Sequence, residues 1–454
     1  MIKLTNTLTG KKEEFKPINK GRINLFVCGP TVYDYSHLGH AKTYTQFDFI
    51  VRFLRFSGYD VTYLQNITDI DDRIIARAAE KNVSPKELAL EYEKYYLEDM
   101  ESLGNTSVSL YARAHDYIPQ IIRQVERLVE KGYAYKISDG YYFDIKKFAG
   151  YGKLSGRTTL KPGDSVSRVD ENPEKINPGD FCLWKFRKKD EPFWSAPFGE
   201  GRPGWHIEDT AITEHHFGAQ YDIHGGAIDL IFPHHEAEIT QMESISDLSP
   251  LVRYWLHTGF LNIKSEKMSK STGNFVTIRE ILKNYNYRTL RYFFLSQHYR
   301  HTFNFTDESM EQASQGLARI QTFADNINEN IDDSGDLKNL NEFKSNFIDR
   351  LSDDFNTPEA FALLFDFIRD QNKRGLSGKN TLELMKSINS VFEIISFDKT
   401  VKVPDAVQTL IDEREEARKA KDFEKSDRLR DEIKSHGFII EDRPDGPNVS
   451  SSPL

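Results

Sequence analysis

The chain has 454 residues, a net charge of −10, 38% hydrophobic and 12% aromatic residues, and two cysteines. That length exceeds one ordinary core, so a globular protein of roughly three domains is expected. The acidic balance excludes a uniformly basic nucleic-acid coat but leaves room for a local basic face. Two cysteines argue against a disulfide scaffold and for a reducing compartment. With no signal-like or membrane-length apolar run, the expected setting is cytoplasmic, with no membrane partner.

In chain order, INLFVCG (Ile23 to Gly29) reads as a short buried strand ending at a Gly-Pro turn. After Gly39 the spacing of Tyr44, Phe47, Val51 and Leu54 predicts a helix with one apolar face, closed by Ser57-Gly58. VTYLQNIT (Val61 to Thr68) is a second strand. Strand, helix and strand form a βαβ unit, whose ligands bind beyond the carboxyl ends of the strands. Cys28, His37 and Thr68 fall at or near those ends. From about Tyr111 to Pro203 the texture becomes rich in Gly, Pro and aromatics, as in an inserted β-rich module. YDIHGGAIDLIFPHHEAEITQMESIS reads as strand, glycine turn and helix, and LHTGFLNI as a strand before KSEKMSKSTGNF. Beyond Thr306 the chain reads as helical, with an acidic joint at NINENIDDSGDLKN. It ends in two short charged helices, the second capped by Asp422 and closed by Gly437.

Several short patterns carry chemistry. Pro233 suits the first turn of a helix, which would put His234 and Glu238 on one face at metal-ligand spacing. An isolated pair of this kind is ordinarily a solvated helix face, but the preceding glycine turn lets a ligand approach backbone. Cys28, at a strand end, is a third potential ligand, although a lone cysteine is more often a small buried hydrophobe. Cys182, between Phe181 and Leu183, has only that bland reading. GEGRPG (Gly199 to Gly204) matches G-x-G-x-x-G literally but follows an aromatic loop, so it is not read as a dinucleotide site. HLGH (His37 to His40) places two imidazoles and a glycine at a helix start, which attracts phosphate. KMSKS (Lys267 to Ser271) offers two ammonium groups and two hydroxyls suited to polyphosphate.

Together, in this order within one α/β domain, HLGH and KMSKS make the chain resemble the class I aminoacyl-tRNA synthetases, and within them the cysteinyl-tRNA synthetase family. The resemblance extends through FVCGPTVYDYSHLGHA, TDIDDRI, YGKLSGR, GRPGWHIE, DIHGGAIDLIFPHHEAE, HTGFLNIKSEKMSKSTGN, DDFNTPEA and EEARKAKDFEKSDRLRDEI. It implies a Rossmann-like parallel-sheet catalytic domain split into 1–110 and 204–265 by a connective module over 111–203. A KMSKS loop and stem-contact region follows over 266–315. A helical bundle over 316–398 and a small helical anticodon-binding segment over 399–454 complete the expected order.

The resemblance also implies the reaction, in which ATP and Mg²⁺ activate L-cysteine, which passes to the terminal adenosine of tRNA(Cys). By it, His37, His40, Lys267 and Lys270 are catalytic, and His37, Gly39, His40, Asp229, Lys267, Ser269 and Lys270 bind ATP. Gly29, Thr68 and Trp205 would surround the cysteine. One Zn²⁺ per chain would sit on Cys28, Asp209, His234 and Glu238 and take the substrate sulfur. A pocket without such a handle separates near isosteres such as cysteine and serine by only about 1–3 kcal/mol. Asp209 departs from the family pattern, which has cysteine there. Either it is a harder fourth ligand, or it drops out and water or substrate completes the site. Ala227 and Ala237 are smaller departures. Arg73 and Ala76 stand where some relatives have lysines proposed to hold pyridoxal phosphate, so no such activity is expected. The family habit implies a monomer, and a basic stripe on the C-terminal helices would make tRNA affinity salt-dependent. Two other readings share parts of the pattern: a ligase joining cysteine to an amino sugar, as in mycothiol synthesis, and a non-catalytic tRNA-binding relative.

Overall fold

The apolar run near the start of the chain forms β1 (Arg22–Val27), followed by α1 (Leu38–Phe56) and β2 (Asp60–Ile67). Next come α2 (Asp72–Lys81) and β3 (Leu110–Arg113). The second half of the layer is α3 (Ile207–Phe217), β4 (Tyr221–Ala227), α4 (Glu236–Ser246) and β5 (Val252–Thr258). The five strands make one parallel sheet in the order β5-β4-β1-β2-β3. Leu25 pairs with Ile223 on one side and Tyr63 on the other. The order reverses between β1 and β4, the switch point at which open α/β sheets bind ligands. The computed structural model describes residues 1–157, 172–263, 266–267, 275–397, 404–436, 438–443 and 446–451.

Two local expectations change. α1 is buried nearly all round rather than on one face, including Lys42, Thr45, Gln46 and Asp48. Two of its polar side chains have internal partners: Lys42 Nζ donates to the Gly259 carbonyl at 2.5 Å and lies 5.0 Å from the Phe303 ring, and Thr43 meets Thr258 at 3.0 Å. The glycines read as a turn lie inside β4, where a side chain has no room. A Cβ on Gly226 would come within 2.8 Å of the His235 ring.

Ala134–Ile137, Gly140–Phe143, Phe181–Phe186 and Gly201–Pro203 form a four-stranded antiparallel sheet in chain order. The preceding helix Ile118–Glu130 buries Ile121, Val125 and Leu128 in the same core as Phe26, Leu64 and Trp255. The antiparallel sheet thus begins near Ala134, because residues 110–130 supply a strand and a helix to the main layer. Glu236 fixes the 152–155 turn to the start of α4 by accepting backbone N–H bonds from Gly152, Leu154 and Ser155 at 2.9–3.1 Å.

The described chain divides into two compact units. The first holds Met1–Arg279, Gln297–Phe305 and Asn346–Ala360, and the second the remaining segments to Leu454. The second unit is mainly helical. Within it, the guanidinium of Arg291 donates to the Phe392 carbonyl at 3.0 Å, and Asp333 accepts from the N–H groups of Gly378, Asn380 and Thr381. Asp422 caps the helix Phe423–Ser435 by accepting from Lys425 N–H at 3.1 Å, and Val407, Ile411, Ile433 and Ile440 form the terminal core. Gly437 lies outside the described residues.

Candidate active site

A cavity of about 440 Å³ opens at the switch point. Cys28, Gly29, His37, Gly39, His40, Trp205 and Asp229 all line it, together with Arg73 and Gly259. Cys28 sits there because β1 ends one residue earlier; its N–H donates to the Gly225 carbonyl at 3.2 Å. Gly29 must be glycine, since a Cβ would fall 1.7 Å from the Asn66 carbonyl oxygen.

One wall is the start of α1, and there the two histidines are the helix cap. His37 Nδ1 accepts from the N–H groups of Gly39 and His40 at 3.0 and 3.3 Å. His40 Nδ1 accepts from His37 N–H at 3.4 Å, closing a reciprocal capping box. An Nδ1 that accepts leaves the ring proton on Nε2. The rings stack at 3.9 Å, and burial, then the His37 and Arg73 charges, hold His40 well below its usual 6.5. His40 is therefore a neutral N–H donor. Thr277 bridges to His37, and Leu38 N–H donates to the Val276 carbonyl at 3.1 Å, so the chain downstream of KMSKS returns to this helix start. Ser269 and Lys270 lie outside the described residues. Lys267 pairs with Asn262 through the backbone of the strand Glu266–Lys267.

Behind the cavity lies a buried polar cluster. Cys28, Asp209, His234 and Glu238 can each offer one ligand atom within 4.8 Å of the others, and all four are buried. His234 Nε2 is 3.0 Å from Asp209 Oδ2 and 3.1 Å from Glu238 Oε1, while its Nδ1 meets His206 at 2.8 Å. Asp209 Oδ1 is buried with no hydrogen-bond partner. Burial, then the charges of Glu238 and Asp209, raises the Cys28 thiol, and burial followed by Asp209 raises Glu238. Three potential anions in a buried site with an orphaned carboxylate oxygen form a donor set that fits a dication. The turn that carries His234 follows a kink, and His234 and Glu238 share one face as expected. Phe232 is extended and is the one non-helical residue between Ile231 and His235, so the helical conformation that leads into α4 starts at Pro233, which stands in the first turn as the sequence suggests.

Thr68 is buried beside the cavity rather than lining it, with its backbone tied to Pro30 and Val32. Three groups near the site had no assigned role in the sequence reading. His224 points inward from β4, and His235 neighbours His234. Arg73 donates to Asp71 and Thr31 at 2.8 and 2.9 Å, beside the Tyr33 and Trp205 rings. The sequence signal for His224 was polarity inside a buried strand, and His235 had none of its own.

Residues 14–315 match the family model of the tRNA synthetases class I (C) catalytic domain. Residues 346–396 match the DALR domain, and 400–447 the cysteinyl-tRNA ligase anticodon binding domain. Over 452 residues the chain is 46% identical to a cysteine--tRNA ligase of Thermoplasma acidophilum, covering 98% of this chain and 99% of that one. A cysteine--tRNA ligase of Methanococcus maripaludis is 43% identical over 468 residues, with 98% of each covered. Among solved structures, Mycobacterium tuberculosis methionyl-tRNA synthetase bound by methionyl-adenylate aligns with a TM-score of 0.59 at 16% identity, over 82% of this chain and 89% of that one. That likeness carries the fold. With its catalytic, DALR and anticodon-binding regions all matched and relatives aligned end to end, the chain belongs to the cysteine--tRNA ligase family of class I tRNA synthetases.

Proposed function

We propose that this chain activates L-cysteine with ATP and transfers it to the terminal adenosine of tRNA(Cys), working as a cytoplasmic monomer. The observation that carries this reading is the position of Cys28, which is both a wall of the cavity and a member of the buried ligand cluster. A molecule in the cavity can therefore reach an ion held by Cys28, Asp209, His234 and Glu238. Zinc bound there supplies a thiophilic Lewis acid, which prefers sulfur to a hydroxyl.

The residues around the cavity then orient and neutralise. Trp205 and Gly29 bound the amino-acid end, and Thr68 supports the strand end from behind. ATP lies against Gly39 with its ribose toward Asp229 and its phosphates toward the Nε2–H groups of His37 and His40. A neutral His40 donates without delivering a proton, which suits a reaction in which charge moves and no proton is needed at phosphorus. The carboxylate of cysteine attacks the α-phosphate, a new P–O bond forms, and pyrophosphate leaves. Lys267, Ser269, Lys270 and the Mg²⁺ carried by ATP offset the developing phosphate charge. A terminal hydroxyl of tRNA then attacks the adenylate carbonyl and AMP leaves.

The matched anticodon-binding region speaks against the amino-sugar ligase, and the presence of both HLGH and KMSKS speaks against a non-catalytic relative. Attachment of labelled cysteine to bulk tRNA by the zinc-replete protein, with and without ATP, tests the reading. ATP-dependent charging is expected; cysteine-dependent pyrophosphate exchange without charging of any tRNA would return the amino-sugar ligase to the front.

A further inference from the structure

The edge between Cys28 and Glu238 belongs to two ligand groups. On one side stand Asp209 and His234; on the other, His224 and His235 complete a second buried quartet within the same 4.8 Å limit. Cys28 Sγ lies 3.1 Å from His235 Nε2 and 3.4 Å from His224 Nε2, against 3.9 Å from Glu238 Oε1. Both imidazoles are held by their other nitrogen. His224 Nδ1 meets the Tyr221 hydroxyl at 2.6 Å. His235 Nδ1 meets His257 Nε2 at 2.8 Å, and His257 Nδ1 meets Thr7 Oγ1 at 2.8 Å. If each Nδ1–H donates outward along these contacts, both Nε2 lone pairs face Cys28, the arrangement that outer partners impose on metal-binding histidines.

The two donor sets differ chemically. Cys28, Asp209, His234 and Glu238 offer one sulfur, one nitrogen and two carboxylates, with three negative charges when fully ionised. Cys28, His224, His235 and Glu238 offer one sulfur, two nitrogens and one carboxylate, whose two charges balance a dication. Zinc, a borderline ion, accepts imidazole readily, so exchanging a carboxylate for a second imidazole costs it little.

We propose that the metal ion of this chain has a second seat, formed by Cys28, His224, His235 and Glu238, which holds the ion when the Asp209 side is disabled. The proposal rests on the metal reading above and adds to it that His224 and His235 are ligands in reserve. It follows that the aspartate at 209 does not by itself cost the protein its zinc.

Asp209→Asn, which keeps the shape and removes the charge, is the test variant. Zinc content and competition with a chromophoric chelator would be measured beside X-ray absorption counts of imidazole ligands, with no activity readout required. Asp209→Asn should retain about one zinc per chain, bound within about tenfold of the parent, and its imidazole count should rise from one to two. Adding His235→Phe should then abolish retention, whereas His235→Phe alone should not. Cys28→Ser, which belongs to both seats, should lose the ion outright. A zinc-free Asp209→Asn protein, or one whose ion keeps a single imidazole, overturns the second seat and leaves the metal reading intact. A parent protein that binds no zinc overturns both. Should the double variant fail to fold, the imidazole count of Asp209→Asn alone decides.

Discussion

The two ends of the site are built on different principles. The end proposed to hold phosphate is local: His37, Gly39 and His40 lie within four consecutive residues, and their geometry comes from capping one helix. The end proposed to hold sulfur is assembled from a strand end, an α3 carboxylate, the turn into α4 and an α4 carboxylate, with two histidines of similar reach behind them. A local device tolerates little, because each ring satisfies the other's backbone. The assembled one contains more donors than an ion needs, so single replacements can be absorbed except where both donor groups meet.

That contrast can be broken by substitution. The largest effect should come at the shared edge: Cys28→Ser should lower cysteine-dependent pyrophosphate exchange by about 1,000-fold, or roughly 4 kcal/mol, with the metal lost. An unchanged exchange rate would remove Cys28 from the site. Next is His40→Ala, which removes the donor proposed to face phosphate and one half of the helix cap. Its kcat for exchange should fall about 100-fold with little change in the KM for cysteine; a KM effect alone would mean His40 only shapes the pocket. Gly29→Ala tests the join between the two ends. Its Cβ would overlap the Asn66 carbonyl, so a stability loss of about 1–3 kcal/mol is expected in denaturant titration.

The smallest effect concerns pH. His40 is held below its usual 6.5 in the folded chain, so the unfolded chain binds the extra proton first as pH falls. Stability should decline below about pH 6.5, by at most about 1.4 kcal/mol per pH unit from this ring, and level off once pH drops below the folded value. His40→Asn should flatten part of that slope. An identical pH profile for the variant would show that His40 titrates normally.

Much of the fold could be read from the sequence because β1, α1 and β2 follow short-range patterns that hold from Ile23 to Thr68. HLGH was equally legible, although its histidines were not recognised as the helix cap, since imidazole is not among the usual capping side chains. The glycines of β4 were misread as a turn because glycine serves both turns and close packing, and only the Phe47 and His235 rings reveal which. Cys28, His234 and Glu238 were visible as ligand types, but Asp209 joined them only through the family resemblance. His224 and His235 were invisible as a group, because nothing local announces that side chains from β4 and the turn into α4 converge on one sulfur.

In the proposed function, substrate choice by the buried cluster runs through sulfur. It is tested most directly by pyrophosphate exchange with cysteine or serine, using protein stripped by a chelator and then reloaded with zinc. Stripping should abolish exchange with cysteine, zinc should restore it, and serine should support little in either state. Exchange with cysteine that survives complete removal of the metal would contradict it.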